Sequence, residues 1–131
     1  MATLRETLDL HAPVQHVWDA VRDVGALHTK LVRGFVIDTR MEAGARVVTF
    51  ANGLTVREEI VGVDDDTRRL AYAIPGGRFR HYQGTVELHE RGAGSRLVWT
   101  IDLLPDEHAE SVHAMMRQGA AAMRTTLDGV S

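Results

Sequence analysis

The sequence predicts an α+β domain: one strand, two short helices, six further strands and a long C-terminal helix, with the strands forming an antiparallel sheet. Three observations predict it. Apolar residues alternate over short segments, turn-type residues join these segments as hairpins, and the C-terminal segment switches to helical spacing. At 131 residues the chain is expected to be a single domain, 1–131, with one core.

The elements follow in order. Over residues 3–10, Leu4, Leu8 and Leu10 share one side with Glu6, while Thr3, Arg5, Thr7 and Asp9 take the other, as in a half-buried strand. Ala12-Pro13 opens a helix, because proline suits a first turn. Val14, Val17, Trp18 and Val21 form its apolar stripe. Val24 to Leu27 reads as a second short helix or turn. Strand-like segments follow at 34–41, 45–51, 54–63, 67–74, 80–90 and 95–104. Pro105-Asp106 ends the sheet, and a helix runs to about Leu127 with Val112, Met116, Gly119, Met123 and Leu127 along one stripe.

The turns set the register. Ala43-Gly44 links the first hairpin. Asn52-Gly53 is a strong type I′ signal, since that turn needs positive φ at both central residues. A two-residue turn there places Thr49 opposite Val56 and Val47 opposite Glu58. A three-residue turn at Asp64-Asp65-Asp66 places Ile60 opposite Leu70, Glu58 opposite Tyr72 and Val56 opposite Ile74. A turn at 91–94 places Leu88 opposite Leu97, Val86 opposite Trp99 and Gly84 opposite Ile101, with Tyr82 on the same face. The result is one inward surface, apolar except for Glu58, Thr49 and two tyrosine hydroxyls. A one-residue slip at the aspartates would bring in Glu59 and Arg57 instead.

Composition excludes several functions. The net charge is −3 and no basic stripe with interleaved aromatics occurs, which argues against nucleic acid. There is no cysteine, so disulfides, thiol catalysis and cysteine-bound metals are ruled out. No run approaches the roughly 20 apolar residues of a membrane span, and no signal pattern opens the chain, so it reads as cytoplasmic. The seven histidines form no HxH or HExxH pair, and Asp106, Glu110 and His113 read as a solvated helix start. Neither a metal nor a cofactor is called for. No GxSxG, Walker or Rossmann pattern is present.

Glu58 is the candidate functional residue. A carboxylate on an apolar strand face should either be kept neutral by desolvation or be paired or hydrogen-bonded. It could anchor a polar ligand group or act as general acid/base; the plainer alternative is a partly wet edge carboxylate bonded to Tyr72. Tyr72, Tyr82 and Trp99 fall on the same face, suited either to lining a ligand or to core packing. The last helix carries Gly119, Ala120, Ala121 and Ala122 with Met115, Met116 and Met123. Small residues leave volume over a sheet and methionine adapts to irregular shapes. The expected ligand-binding set is Glu58, Ile60, Tyr72, Tyr82, Val86, Trp99, Met116, Gly119, Ala120 and Met123.

Several strings, taken in order, carry a family resemblance. They are Val17-Trp18 after Ala12-Pro13, Asp23 to His28, Asn52-Gly53-Leu54, Glu58-Glu59-Ile60, Asp64 to Arg69, Gly76-Gly77, Tyr82 to Thr85, and Ser95 to Trp99. With the final helix, they resemble the START/Bet v 1-like (SRPBCC) superfamily, and within it the polyketide cyclase/dehydrase-like branch that includes plant abscisic acid receptors. The resemblance implies a helix-grip fold, a curved seven-stranded sheet wrapped around the C-terminal helix with a ligand cavity between. It aligns Glu58 with a glutamate that contacts polar ligand groups through water, and makes Arg33 the nearest candidate for a carboxylate-binding lysine. Asn52-Gly53-Leu54-Thr55 is similar to the receptors' closing loop but lacks its proline, and Arg78-Phe79-Arg80 does not match their His-Arg-Leu latch.

The first functional reading is therefore binding of a small hydrophobic ligand, lipid-, polyketide- or aromatic-like, with a few polar groups. The alternative is a cofactor-independent cyclase or dehydratase in which Glu58 or a tyrosine moves protons. A third class is an interaction module, for example a homodimer, whose pocket is vestigial.

Overall fold

The computed structural model describes residues 1–129. Seven antiparallel strands lie in the order β1-β7-β6-β5-β4-β3-β2. They are β1 (Ala2–Leu10), β2 (Val36–Glu42), β3 (Ala45–Phe50), β4 (Thr55–Asp64), β5 (Arg69–Ala73), β6 (His81–Arg91) and β7 (Gly94–Leu104). Helix α1 (Val14–Arg22) follows β1, and α2 (Ala109–Asp128) closes the chain. The sheet curves around α2, which turns Val112, Met116, Gly119, Ala120 and Met123 inward. The expected helix-grip architecture is the observed one.

Helix α1 buries Val14, Val17, Trp18, Ala20 and Val21, one stripe at helical spacing. Its indole and last turn are tied to the β4–β5 turn: Trp18 Nε1–H and Arg22 Nε–H both donate to Asp65 Oδ1 at 2.8 Å. The segment expected as one short helix is a 3₁₀ turn (Val24–Ala26) running into a π-helical turn (Leu27–Leu31). Leu27 and Leu31 are buried there. At the far end of α2, Asp128 accepts the backbone N–H groups of His11 and Ala12 at 2.9 and 3.1 Å, fixing the helix to the β1–α1 junction. No helix among the described residues is long and apolar enough to cross a membrane.

Register differs from expectation at two turns. The type I′ signature sits at Ala43-Gly44, where φ is +40° and +80°. At Asn52-Gly53 only the glycine has positive φ, at +90°. The loop there holds three residues: Phe50 N–H donates to Leu54 C=O at 2.8 Å and Gly53 N–H to Phe50 C=O at 2.9 Å. One added residue inverts the faces of β3. Val47 pairs with Arg57 rather than Glu58, Val48 rather than Thr49 pairs with Val56, and Arg46 faces Glu58.

The aspartate turn is also longer than three residues, since Asp64 pairs with Arg69. Asp64 Oδ1 accepts the N–H groups of Asp66 and Thr67, and Arg68 takes φ +52°. A bulge between Ile60 and Gly62 then shifts the pairing again, so Ile60 lies opposite Tyr72 rather than Leu70. The two departures cancel in parity. Glu58 is 7% exposed, whereas Glu59 is exposed. The β6–β7 pairs Leu88–Leu97, Val86–Trp99 and Gly84–Ile101 are those the sequence predicts.

Candidate functional site

A cavity of about 60 Å³ lies between the concave sheet face and α2. Its polar wall is built from β3 to β6. Arg46 and Glu58 are directly opposed on β3 and β4, and Arg46 Nε–H donates to Glu58 Oε1 at 2.8 Å. The guanidinium reaches toward Val24 C=O at 3.5 Å and stands 5.4 Å from the centre of the Tyr72 ring. Arg46 is 4% exposed, so both charges are out of water and each depends on the other.

The tyrosines complete this wall. Tyr72 pairs with Gly84 across β5 and β6, and a Cβ at Gly84 would collide with the Tyr72 ring. The glycine is what lets that ring lie across β6. Trp99 Nε1–H donates to the Tyr72 hydroxyl at 2.9 Å, satisfying a buried indole. Burial pushes the Tyr72 phenol far above its ordinary range, and the nearby Glu58 charge adds to this. Burial, then Tyr72 and Glu58, do the same to Tyr82. Both phenols therefore stay protonated through the neutral range and can donate hydrogen bonds.

The rest of the wall is apolar. Leu27 and Leu31 of the π-helical turn, Val36, Leu70, Val86 and Met123 contribute to it. Phe35, Phe50 and Met115 border the cavity on one side and a surface groove of about 330 Å³ on the other. The two phenylalanine rings meet edge to face, 5.3 Å between centres. These three side chains partition the interior from the groove, which is otherwise lined by the β3–β4 loop and the first half of α2.

Of the side chains expected to form the site, Glu58, Tyr72, Tyr82, Val86, Trp99 and Met123 border the cavity. Ile60, Met116, Gly119 and Ala120 do not. Met116 is fully buried in the core. A Cβ on Gly119 would come within 3.0 Å of Trp99 and 3.4 Å of Phe35, so this small residue makes room for rings rather than for a void. Arg33 lies outside: its backbone N–H and guanidinium bond Thr126 at the end of α2, and it lines an outer cleft with His16, Asp19 and Lys30. Arg46, Phe35 and Phe50 were missed. The signal for Arg46 and Phe50 is the alternation Arg46-Val48-Phe50, hidden by the assumed turn length; Phe35, in the turn just before β2, has no such signal. Among the described residues no three metal-ligating side chains converge.

A curved antiparallel sheet gripping a C-terminal helix, with an apolar cavity between them, defines a START/Bet v 1-like domain. The family model described as "Polyketide cyclase / dehydrase and lipid transport" matches residues 1–128, and the chain belongs to that family. It is 31% identical over 106 residues to abscisic acid receptor PYL1 of Arabidopsis thaliana, a match covering 72% of this chain. The chain spans about half, 48%, of that curated relative. A START superfamily protein from Mycobacterium smegmatis superposes with TM-score 0.80 at 10% identity, covering 98% of this chain and 99% of that one. The di-domain ARO/CYC protein BexL of the BE-7585A biosynthetic pathway gives 0.82 at 13% identity, covering 96% of this chain and 46% of BexL. These two likenesses show the fold.

Proposed function

We propose that this protein binds a small, largely apolar molecule with a polar end, held between the sheet and α2. One observation carries the reading: an otherwise apolar cavity contains a buried ion pair and two protonated phenols. Polar groups in such a place fix the orientation of a ligand whose affinity comes from apolar contact. The family's description, which includes lipid transport and polyketide cyclisation, supports the same reading. The cysteine-free composition is in keeping with a cytoplasmic setting.

At about 60 Å³ the cavity has room for only a few waters, whereas ligand sites span roughly 300–1,000 Å³. Binding therefore requires the cavity to open. Displacement of Phe35, Phe50 and Met115 joins it to the outer groove and brings the combined space into that range.

Native mass spectrometry of protein purified from its own host tests the proposal, with titration by the apolar fluorophore N-phenyl-1-naphthylamine alongside. A co-purifying small molecule, or saturable probe binding strengthened by Phe50→Ala, is the expected result. If no molecule co-purifies and the probe does not bind, the reading is wrong.

A second reading, a cofactor-independent cyclase or dehydratase, is favoured by the convergence of Glu58, Tyr72 and Tyr82 on one cavity. General acid–base work there would have Glu58 take a substrate proton at an acceptor site that the Arg46 Nε–H bond leaves free. Turnover of an aromatic poly-β-ketone analogue that is lost in Glu58→Gln would favour this reading over simple binding.

A further inference from the structure

The charges that border the cavity sum to zero. Arg46 is the only cation and Glu58 the only anion among the described residues that line it, and they are spent on each other at 2.8 Å. The two phenols are neutral donors. The other cation the sequence offers for a carboxylate, Arg33, is on the outer surface and bonded to the end of α2.

A carboxylate entering this space would meet one cation already neutralised by Glu58. It would lose its hydration and stand close to a second anion, an arrangement whose desolvation is not repaid. A ketone or hydroxyl meets no such penalty. A carbonyl can accept from a tyrosine hydroxyl. A hydroxyl can donate to Glu58, because a carboxylate has about four acceptor sites and Arg46 Nε–H occupies one of them.

Resting on the reading of this cavity as a ligand site, we infer that it selects an uncharged polar head group, a ketone or hydroxyl, and discriminates against carboxylates. The determinant is the Arg46–Glu58 pair.

The test uses 2-acetonaphthone and 2-naphthoate, which differ only in an acetyl for a carboxylate. Isothermal titration at pH 7 reads affinity, and the indole N–H resonances of uniformly ¹⁵N-labelled protein report location. The expected result is that the ketone binds at least about tenfold tighter to the wild type, a difference of roughly 1.4 kcal/mol. The Trp99 indole signal should move and that of Trp18 stay. In Glu58→Gln, where Arg46 is left without its anion, the preference should swing at least about tenfold toward naphthoate. The wild-type comparison decides the matter even if this variant does not fold. Naphthoate binding as tightly as the ketone to the wild type, with the Trp99 signal moving, overturns the selectivity and leaves the pocket reading standing. If neither compound binds, or the Trp99 signal is unmoved, the pocket reading falls and this inference with it.

Discussion

Arg46 and Glu58 occupy facing positions on β3 and β4, joined by one 2.8 Å hydrogen bond and sealed from water at 4% and 7% exposure. An isolated buried carboxylate would be relieved by conversion to glutamine. A paired one is not, because its removal strands the guanidinium.

Glu58→Gln should therefore destabilise the fold by about 3–5 kcal/mol, the scale for breaking a buried pair. The double replacement Arg46→Met with Glu58→Leu should recover most of that loss or exceed the wild type. Glu59→Gln, exposed on the outer face, should stay within about 0.5 kcal/mol. Urea denaturation at neutral pH measures all three. A silent Glu58→Gln would mean that the ion pair is absent in solution.

Tyr72 and Trp99 give a second test. The indole N–H has the Tyr72 hydroxyl as its acceptor, and the two residues are 4% and 6% exposed. Tyr72→Phe removes the acceptor and keeps the ring. It should cost about 1–3 kcal/mol, the penalty for an unsatisfied buried donor. The Trp99 indole proton should shift upfield while that of Trp18, bonded to Asp65, stays in place. An unchanged Trp99 resonance would show that this bond does not form.

These pairs also mark how far the sequence could be read. Strand alternation and helical spacing place every strand, both principal helices and the inward direction of Glu58, because each depends on a pattern repeated over many residues. The partner of Glu58 depends on one turn. Asn52-Gly53 carries the residue types of a two-residue loop, but Leu54 N–H bonds Asn52 Oδ1 and the loop closes with one residue more. That single residue exchanged Thr49 for Arg46 on the inner face. At the aspartates two departures cancelled, so the right face followed from the wrong pairing. The tight contact of Gly119 with Trp99 depends on tertiary geometry and leaves no trace in local composition.

Gly119 supplies a third prediction. Gly119→Ala gains about 1 kcal/mol in helix propensity. Its methyl would come within 3.0 Å of Trp99, and overpacking typically costs about 1–3 kcal/mol. Because Trp99 borders the cavity, its ring can yield into that space. The net stability change should stay within about 1.5 kcal/mol of zero, the overlap being largely offset. The cavity should shrink, weakening N-phenyl-1-naphthylamine binding. A loss well above that bound would show that the ring cannot move, and stronger probe binding would show that it moves elsewhere.

The last prediction concerns acid. Asp65 receives hydrogen bonds from Arg22 and from the Trp18 indole, and these hold its carboxyl below the usual carboxylate range, Arg22 contributing most. A carboxyl whose value is depressed by folding favours the folded state wherever it is ionised in both states. That contribution is fully present above the unfolded value, about 3.9, and is lost as pH falls through the depressed folded value. Asp65→Asn retains an oxygen for the indole but not the charge facing Arg22. The wild type should accordingly be the more stable at pH 7, and the gap between the two proteins should close progressively below about pH 4. Asp9, also held down, chiefly by its hydrogen bond from Arg96, is common to both proteins and cancels in the difference. Urea unfolding of the pair at several pH values, followed by Trp18 emission, reads this directly. A gap that persists unchanged to pH 3, or widens toward it, would show that the Asp65 charge is not what ties α1 to the β4–β5 turn.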